Sequence, residues 1–280
     1  MTSVSQRRQG HSGQGASFQS GPFTWCGVGV SVQGTSHVRS GQTCQDAQFW
    51  EVWREDTLVA AVADGAGSAP LAEVGAAVAA NAAVAAFLSK WGLSKWGLSK
   101  EGVPPNDKKL LSQLRYSMKA AQRAVKKEAA AREVPVSELA TTLILVVATP
   151  ELVAAAQVGD GAAVVDDGKG EITNVTVPRW GEYINETTFL NSRGALKKAQ
   201  VNVCRGTPKH VAVLSDGLQM LALKMPEGTP HRPFFAPLFK FVSEVTDSVE
   251  AHRQLELFLR SQRVADSTGD DLTLLLFSLA

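Results

Sequence analysis

Four apolar runs in this sequence each meet an aspartate set beside glycine or a second aspartate. They are "TLVAAVADG" at 57–65, "AAAQVGDG" at 154–161, "VAVLSDG" at 211–217 and "GDDLTLLLF" at 269–277. A fifth aspartate, Asp46 in "CQDAQ", directly precedes a strand-like run. Short apolar runs bounded by turn residues read as buried strands. Asp-Gly on its own is only a common turn dipeptide. A turn, however, does not need a carboxylate at the end of one core strand after another. Carboxylates gathered at one edge of a sheet repel one another, and they stay ionised together only where cations neutralise them. The set contains no His or Cys, and oxygen-only ligands suit Mg²⁺ or Mn²⁺, not zinc. Two such ions about 4 Å apart can hold a bridging water, lower its pKa and clamp an in-line phosphoryl displacement.

The rest of the chain supplies a scaffold for that edge. "GVGVSVQGTSHV" (27–38) alternates as a half-buried strand does, and "AQFWEVWREDTLVAAVAD" (47–64) reads as a hairpin turning near Arg54–Asp56. The Ala-rich stretch 71–91 is a predicted helix. Residues 108–133 are a second, amphipathic helix with Leu111, Leu114, Met118, Ala121 and Val125 on one stripe. Strand-like runs follow at 140–149, 151–168 and 209–221. A helix is predicted at 247–262 with Val249, His252, Leu255 and Leu259 inward, and a last strand at 269–279. Strands, helices, strands, helix, strand is the order of a segregated α+β protein, not of a doubly wound sheet. Between the first two helices WGLSK occurs twice in tandem, at 91–95 and 96–100. Its period is too short for a solenoid and reads as a duplicated surface loop.

Composition narrows the function classes. Lys and Arg number 28 against 27 Asp and Glu, so no overall field favours nucleic acid or an anionic membrane. The run at 75–87 is the most bilayer-like, but it reads as short and weakly apolar. Cys26, Cys44 and Cys204 are few, odd in number and widely spaced, which fits a reducing cytoplasm. Residues 1–22, rich in Gly, Ser and Gln, are expected to form a disordered lead-in without a signal peptide's apolar core. Residues 23–280 are expected to form a single domain.

The motifs also occur in a particular order: "SHVRSGQTCQDA", "VAAVADGAGSAPLAEVGA", "LATTLILVV", "AAAQVGDGAAVV", "GEYINETTFL", "VAVLSDGL" and "GDDLTLLLF", covering about residues 27–279. This ordered set resembles the metal-dependent serine/threonine protein phosphatases of the PPM class, also called type 2C, and is most similar to their short bacterial branch. The resemblance implies two packed antiparallel sheets with helices on both outer faces, an αββα sandwich. It implies hydrolysis of phosphoserine and phosphothreonine by a metal-bridging water at two Mn²⁺ or Mg²⁺ ions, with a third, weaker one. By position, Asp64 resembles the bridging ligand, with the Gly65 carbonyl on the second ion. Asp216 and Asp270 resemble the remaining ligands of the first ion. Asp270 fits better than Asp271 because it stands three residues before Thr273. Asp46 resembles the carboxylate that orients metal-bound water, and Asp160 the residue that shares a third ion with Asp216. The implied partners are a phosphorylated protein substrate and a Ser/Thr kinase of the same pathway, with no nucleic acid and no membrane.

Two positions depart from the family pattern. An Arg often found five residues before the position of Asp46 is Gly41, which leaves Arg39 and His37 as candidates for the substrate phosphate. A His often found two residues after the bridging aspartate is Ala66, as is common in bacterial members, so protonation of the leaving group falls to metal-bound water. The segment "PEGTPHRPFFAPLF" takes the place of the family's flap. An inactive, phosphatase-like binding module is the alternative reading, but every core aspartate position is filled. There is no DxD nucleophile motif, no Cys with Arg six residues on, and no GxxxxGK[ST].

Overall fold

In the computed structural model, residues 23–54, 56–93, 106–178 and 187–280 are described. The chain begins with β1 (Trp25–Val32), a short helix α1 (Thr35–Ser40), and the hairpin β2 (Asp46–Trp53) and β3 (Thr57–Asp64). Two long helices follow, α2 (Ala72–Leu93) and α3 (Asp107–Ala131). Then come β4 (Leu143–Thr149), β5 (Leu152–Val158), β6 (Ala162–Asp166), β7 (Ile172–Thr176), α4 (Ala195–Lys198), β8 (Gln200–Arg205) and β9 (His210–Leu214). The last part comprises α5 (Gln219–Ala222), β10 (Leu223–Lys224), β11 (Thr229–Pro230), α6 (Arg232–Glu244), α7 (Ser248–Leu259), α8 (Gln262–Ala265) and β12 (Leu272–Leu279). The tandem WGLSK copies lie largely outside the described residues, as does the expected lead-in at 1–22; only the backbone of the first copy's start belongs to α2.

The strands form two five-stranded antiparallel sheets, ordered β1-β12-β9-β6-β7 and β2-β3-β4-β5-β8. The period-two alternation of each core strand divides its side chains between two layers. On β3, Leu58, Ala60 and Val62 point between the sheets, where they meet Val211, Val213, Leu275 and Phe277. Val59, Ala61 and Ala63 point the other way, into a layer with α2 and α3. On β12, Leu272, Leu274 and Leu276 pack outward against Phe235, Phe239, Leu255 and Leu259 of α6 and α7. Helix, sheet, sheet and helix thus stack in four layers, the αββα sandwich expected.

Several local readings need correction. The strand expected to run to residue 38 ends at Val32, and His37 and Arg39 sit on α1 instead. The stripe of α3 is led by Leu110, which is fully buried, not by Leu111. On α7 the inward face is Ala251, Leu255 and Leu259, whereas Val249 is 77% exposed. The Ala-rich helix is longer and more apolar than it reads. Over Ala72–Lys90 its mean hydropathy of 1.5 and its length would serve to cross a bilayer. Here it lies against α3 on one side and β2 and β3 on the other, which accounts for apolar residues around much of its circumference.

"PFFAPLF" is not a flap but part of α6, which buries Phe235, Leu238, Phe239 and Val242 on the outer face of the β1 sheet. Its prolines disguise it, although proline is well tolerated in a first helical turn. His210, the first residue of β9, is tied at both ring nitrogens, 2.6 Å from an Asp166 carboxylate oxygen and 2.7 Å from the Ser243 hydroxyl. It also stacks on Phe239, so it fastens β6 and β9 to α6, and its burial pulls its pKa down.

Phe277 tests the middle layer. It is fully buried between the sheets and meets Trp50 edge-on with ring centroids 5.2 Å apart. Phe277→Ala should cost about 3–5 kcal/mol of unfolding free energy in denaturant titrations. A loss below about 1 kcal/mol would show that this interface is not a close-packed core.

Candidate metal centre

Strand register brings the aspartates to one end of the sandwich. Asp46 at the start of β2 pairs directly with Asp64 at the end of β3. Asp160 lies in the turn between β5 and β6, and Leu143 pairs with Val158 just before it. Asp216 follows β9 and Asp270 precedes β12, whose Leu274 pairs with Leu214. Carboxylate oxygens of Asp64, Asp160 and Asp216 all lie within 4.8 Å of one another. At that spacing two full charges repel by about 3 kcal/mol at an effective dielectric of about 20.

Glycines let the surrounding backbone close in on the cluster. A β-carbon on Gly65 would stand 2.7 Å from the carbonyl oxygen of Ala72, where α2 starts. One on Gly217 would stand 2.2 Å from the carbonyl oxygen of Asp271, so the turn after Asp216 could not approach β12. The glycine beside each of these carboxylates is therefore a packing requirement, apart from any role of its carbonyl.

Hydrogen bonds hold the carboxylates without satisfying them. Ser215 Oγ donates to Asp46 Oδ2 at 2.7 Å, and the Thr273 amide donates to Ser215 Oγ at 2.9 Å. Thr187 Oγ1 donates to Asp160 Oδ2 at 2.6 Å, and the Gln219 side-chain amide donates to the Asp160 carbonyl at 2.6 Å. Oδ1 of Asp46 and Oδ1 of Asp160 are buried with no hydrogen-bond partner. Buried acceptors are seldom left in that state, so each points to a cation or water as its partner.

The electrostatics agree. Burial, with the neighbouring Asp271 and Asp270 charges, pushes Asp46 up to about 7 despite the opposing hydrogen bonds from Ser215 and Thr273. Burial and the charges of Asp160, Asp270 and Asp46 push Asp216 up to about 8. Burial raises Asp64 well above the usual carboxylate range, with Asp46 and Asp216 the strongest neighbours. Asp160 is raised too, chiefly by burial. A divalent cation would reverse this by stabilising the ionised forms, and an all-oxygen donor set suits Mg²⁺ or Mn²⁺.

The remaining sequence candidates are placed as follows. Asp270 is exposed and stands outside the tight group of three, although its charge acts on Asp46, Asp64, Asp160 and Asp216. Asp271 is buried and has a different task. Its Oδ1 accepts from the Gly34 amide and its Oδ2 from the Gln45 amide, both at 2.6 Å. His37 Nδ1 lies 2.8 Å from Asp271 Oδ2, so the His37 ring is turned to that carboxylate. Arg39 is exposed on α1, and Gly41 caps the helix with a left-handed φ of 71°. The structural work of Asp271 and the contacts of Thr187 and Gln219 escaped sequence reading. Only the Asp-Asp pair hinted at the first.

A family model described as protein phosphatase 2C matches residues 33–260. The chain belongs to that family. Among curated relatives it is 35% identical over 266 residues to serine/threonine-protein phosphatase 3 of Escherichia coli (strain K12), covering 91% of this chain and 98% of that protein. Among solved structures, the catalytic domain of the serine/threonine phosphatase PstP in complex with two manganese ions shares the fold at TM-score 0.58 and 16% identity, covering 92% of this chain and 99% of that one. The serine/threonine phosphatase Stp1 from Staphylococcus aureus does so at TM-score 0.59 and 15% identity, over 90% of this chain and 94% of the other. In this family member, the cluster is where a metal centre is to be tested.

The carboxylate pKa values fix the sign of a pH effect. Between the ordinary carboxylate value and about 8, the metal-free folded chain keeps protons that the unfolded chain has lost. These groups therefore lower stability as pH rises through that window. Mn²⁺ needs them ionised, so the gain in melting temperature on adding Mn²⁺ should be larger near pH 8 than near pH 5. Equal gains at both, measured by scanning fluorimetry against EDTA controls, would contradict this account of the cluster.

Proposed function

We infer that this protein phosphatase 2C chain hydrolyses phosphoserine and phosphothreonine in proteins, using Mn²⁺ or Mg²⁺. The observation that carries the reading is the convergence of Asp64, Asp160 and Asp216 within 4.8 Å, all oxygen donors, with buried unpartnered oxygens on Asp46 and Asp160. Bound there, the cations supply an activated water and neutralise charge on the phosphoryl group. Asp64, Asp216 and Asp270, with the Gly65 carbonyl, would hold the catalytic cations, and Asp160 with Asp216 would hold a further, weaker one. Asp46, held at Oδ2 by Ser215, keeps Oδ1 free to accept from and orient the attacking water. Arg39, on exposed α1, is the residue assigned to the substrate phosphate, since its guanidinium suits a bidentate contact. His37 is assigned to holding α1 through Asp271, not to direct phosphate binding.

Residues 23–280 form the catalytic domain in this reading, and a protein kinase that phosphorylates the same substrate is its functional counterpart. A reducing cytoplasm is the compartment proposed, supported by three free cysteines, Cys26, Cys44 and Cys204. No observation favours the inactive binding module.

Turnover of p-nitrophenyl phosphate and of a phosphothreonine peptide should require Mn²⁺ or Mg²⁺ and stop in EDTA. Asp270→Asn should lower kcat by at least about a hundredfold, as loss of a metal ligand does. Asp271→Asn should instead lower the melting temperature, because it disturbs buried bonds to two amides, and retain most of kcat. Full activity in EDTA would overturn the metal-dependent reading, and the reverse ranking of the two variants would reassign the ligand.

A further inference from the structure

A cavity opens in the helical layer on the outer face of the β1 sheet. Its volume is about 620 Å³, within the range of roughly 300–1,000 Å³ typical of small-molecule sites. Phe234 and Phe241 of α6 and Phe258 of α7 form its apolar walls. Lys224, His231 and Arg263 stand among the lining residues, and no Asp or Glu does. None of the three basic residues takes part in an ion pair among the described residues. An apolar groove edged by Lys224 and Arg263, with no acidic lining residue, is complementary to a molecule with an apolar body and a single anionic head.

One wall of the cavity is joined to the metal centre along the chain. Met220 and Leu221 line the cavity, and Met220 is 70% exposed. They belong to α5, which follows Asp216 after a single turn, Asp216–Leu218. Gln219, the first residue of α5, is buried and donates to the Asp160 carbonyl at 2.6 Å. One six-residue stretch, 216–221, therefore carries a proposed metal ligand at one end, a tether to a second in its middle and the cavity wall at the other end.

We propose that this cavity is an effector site for a small apolar carboxylate, coupled through residues 216–221 to metal binding at Asp160 and Asp216. The head pairs with Lys224 and Arg263 while the body lies against Phe234, Phe241 and Phe258. A carboxylate head suits this lining because its two oxygens can accept in parallel from the Arg263 guanidinium. Any shift of α5 that accommodates the ligand moves Gln219 and, with it, the Asp160 backbone. The coupling rests on the metal-centre reading given above, whereas the cavity's ligand class does not.

Equilibrium binding tests both parts without relying on turnover. Dansyl-undecanoate, which brightens in apolar surroundings, is titrated into the full-length protein below its micelle concentration, alongside its uncharged methyl ester. Saturable binding of the acid is expected, with weaker binding of the ester. The surface pair Lys224→Gln with Arg263→Gln should weaken the acid by about tenfold and leave basal phosphatase activity intact. An ester that binds as well as the acid, a double variant that binds it unchanged, or no saturable binding would overturn the site. Because coupling is reciprocal, saturating Mn²⁺ should change the acid's Kd by about fivefold or more. A Kd that is the same in Mn²⁺ and in EDTA would overturn the coupling. Failure of the phosphatase reading would appear separately, as absent p-nitrophenyl phosphate turnover in Mn²⁺.

Discussion

The pairing of Asp46 with Asp64 across the β2–β3 ladder is the constraint on which the rest of the site depends. It fixes two carboxylates at the rim of a close-packed sandwich, in strands whose remaining side chains have nowhere else to go. Val59, Ala61 and Ala63 are committed to the α2 layer, and Leu58, Ala60 and Val62 to the layer between the sheets. A slip of one residue would exchange these faces and swing Asp64 to the other side. The apolar core thus holds the electrostatic strain: burial between rigid sheets keeps like charges together, at a cost that only bound cation or proton relieves.

The opposite sheet completes the arrangement through polar contacts. Ser215 spans the gap, accepting from the Thr273 amide on β12 and donating to Asp46 on β2. Asp271 fastens the start of β12 to the Gly34 and Gln45 amides, the latter next to Asp46 in sequence. These bonds join the two sheets at their functional end, so Asp216 and Asp270 come from one sheet and meet Asp46 and Asp64 from the other. The same rigidity gives the 216–221 stretch its leverage, since Asp216 and the Asp160 tether share one short segment with the outer cavity.

Much of this could be read from the residues, for a physical reason. A strand that is apolar throughout and ends in Asp-Gly announces both its burial and its exit, and "TLVAAVADG" places Asp64 at the end of a core strand, though not as a ligand. Helices α2 and α3 carry long unbroken patterns, so they are equally plain. The edge strands β7 and β8 are not, because most of their residues are only partly buried or exposed and their patterns are short. Helix α6 is hidden by Pro233 and Pro237, so its segment reads only as an insertion in the place of the family's flap. Within the site, the roles of His37, Thr187 and Gln219 arise from contacts over long sequence separations, which no local pattern encodes. Asp271 shows the same limit. Nothing in "GDDLT" states that one carboxylate caps two backbone amides while its exposed neighbour acts by charge on the cluster.

In this reading the strand ends form a divalent-cation site. Electron paramagnetic resonance of free Mn²⁺, titrated into metal-stripped protein, counts bound ions directly and needs no substrate. At least two Mn²⁺ per chain should bind, and Asp64→Asn, a substitution that keeps shape but removes the charge shared by the cluster, should abolish or severely weaken that binding while the protein stays folded by circular dichroism. Absence of Mn²⁺ binding by the wild-type chain, or an unchanged isotherm in Asp64→Asn, would contradict the account.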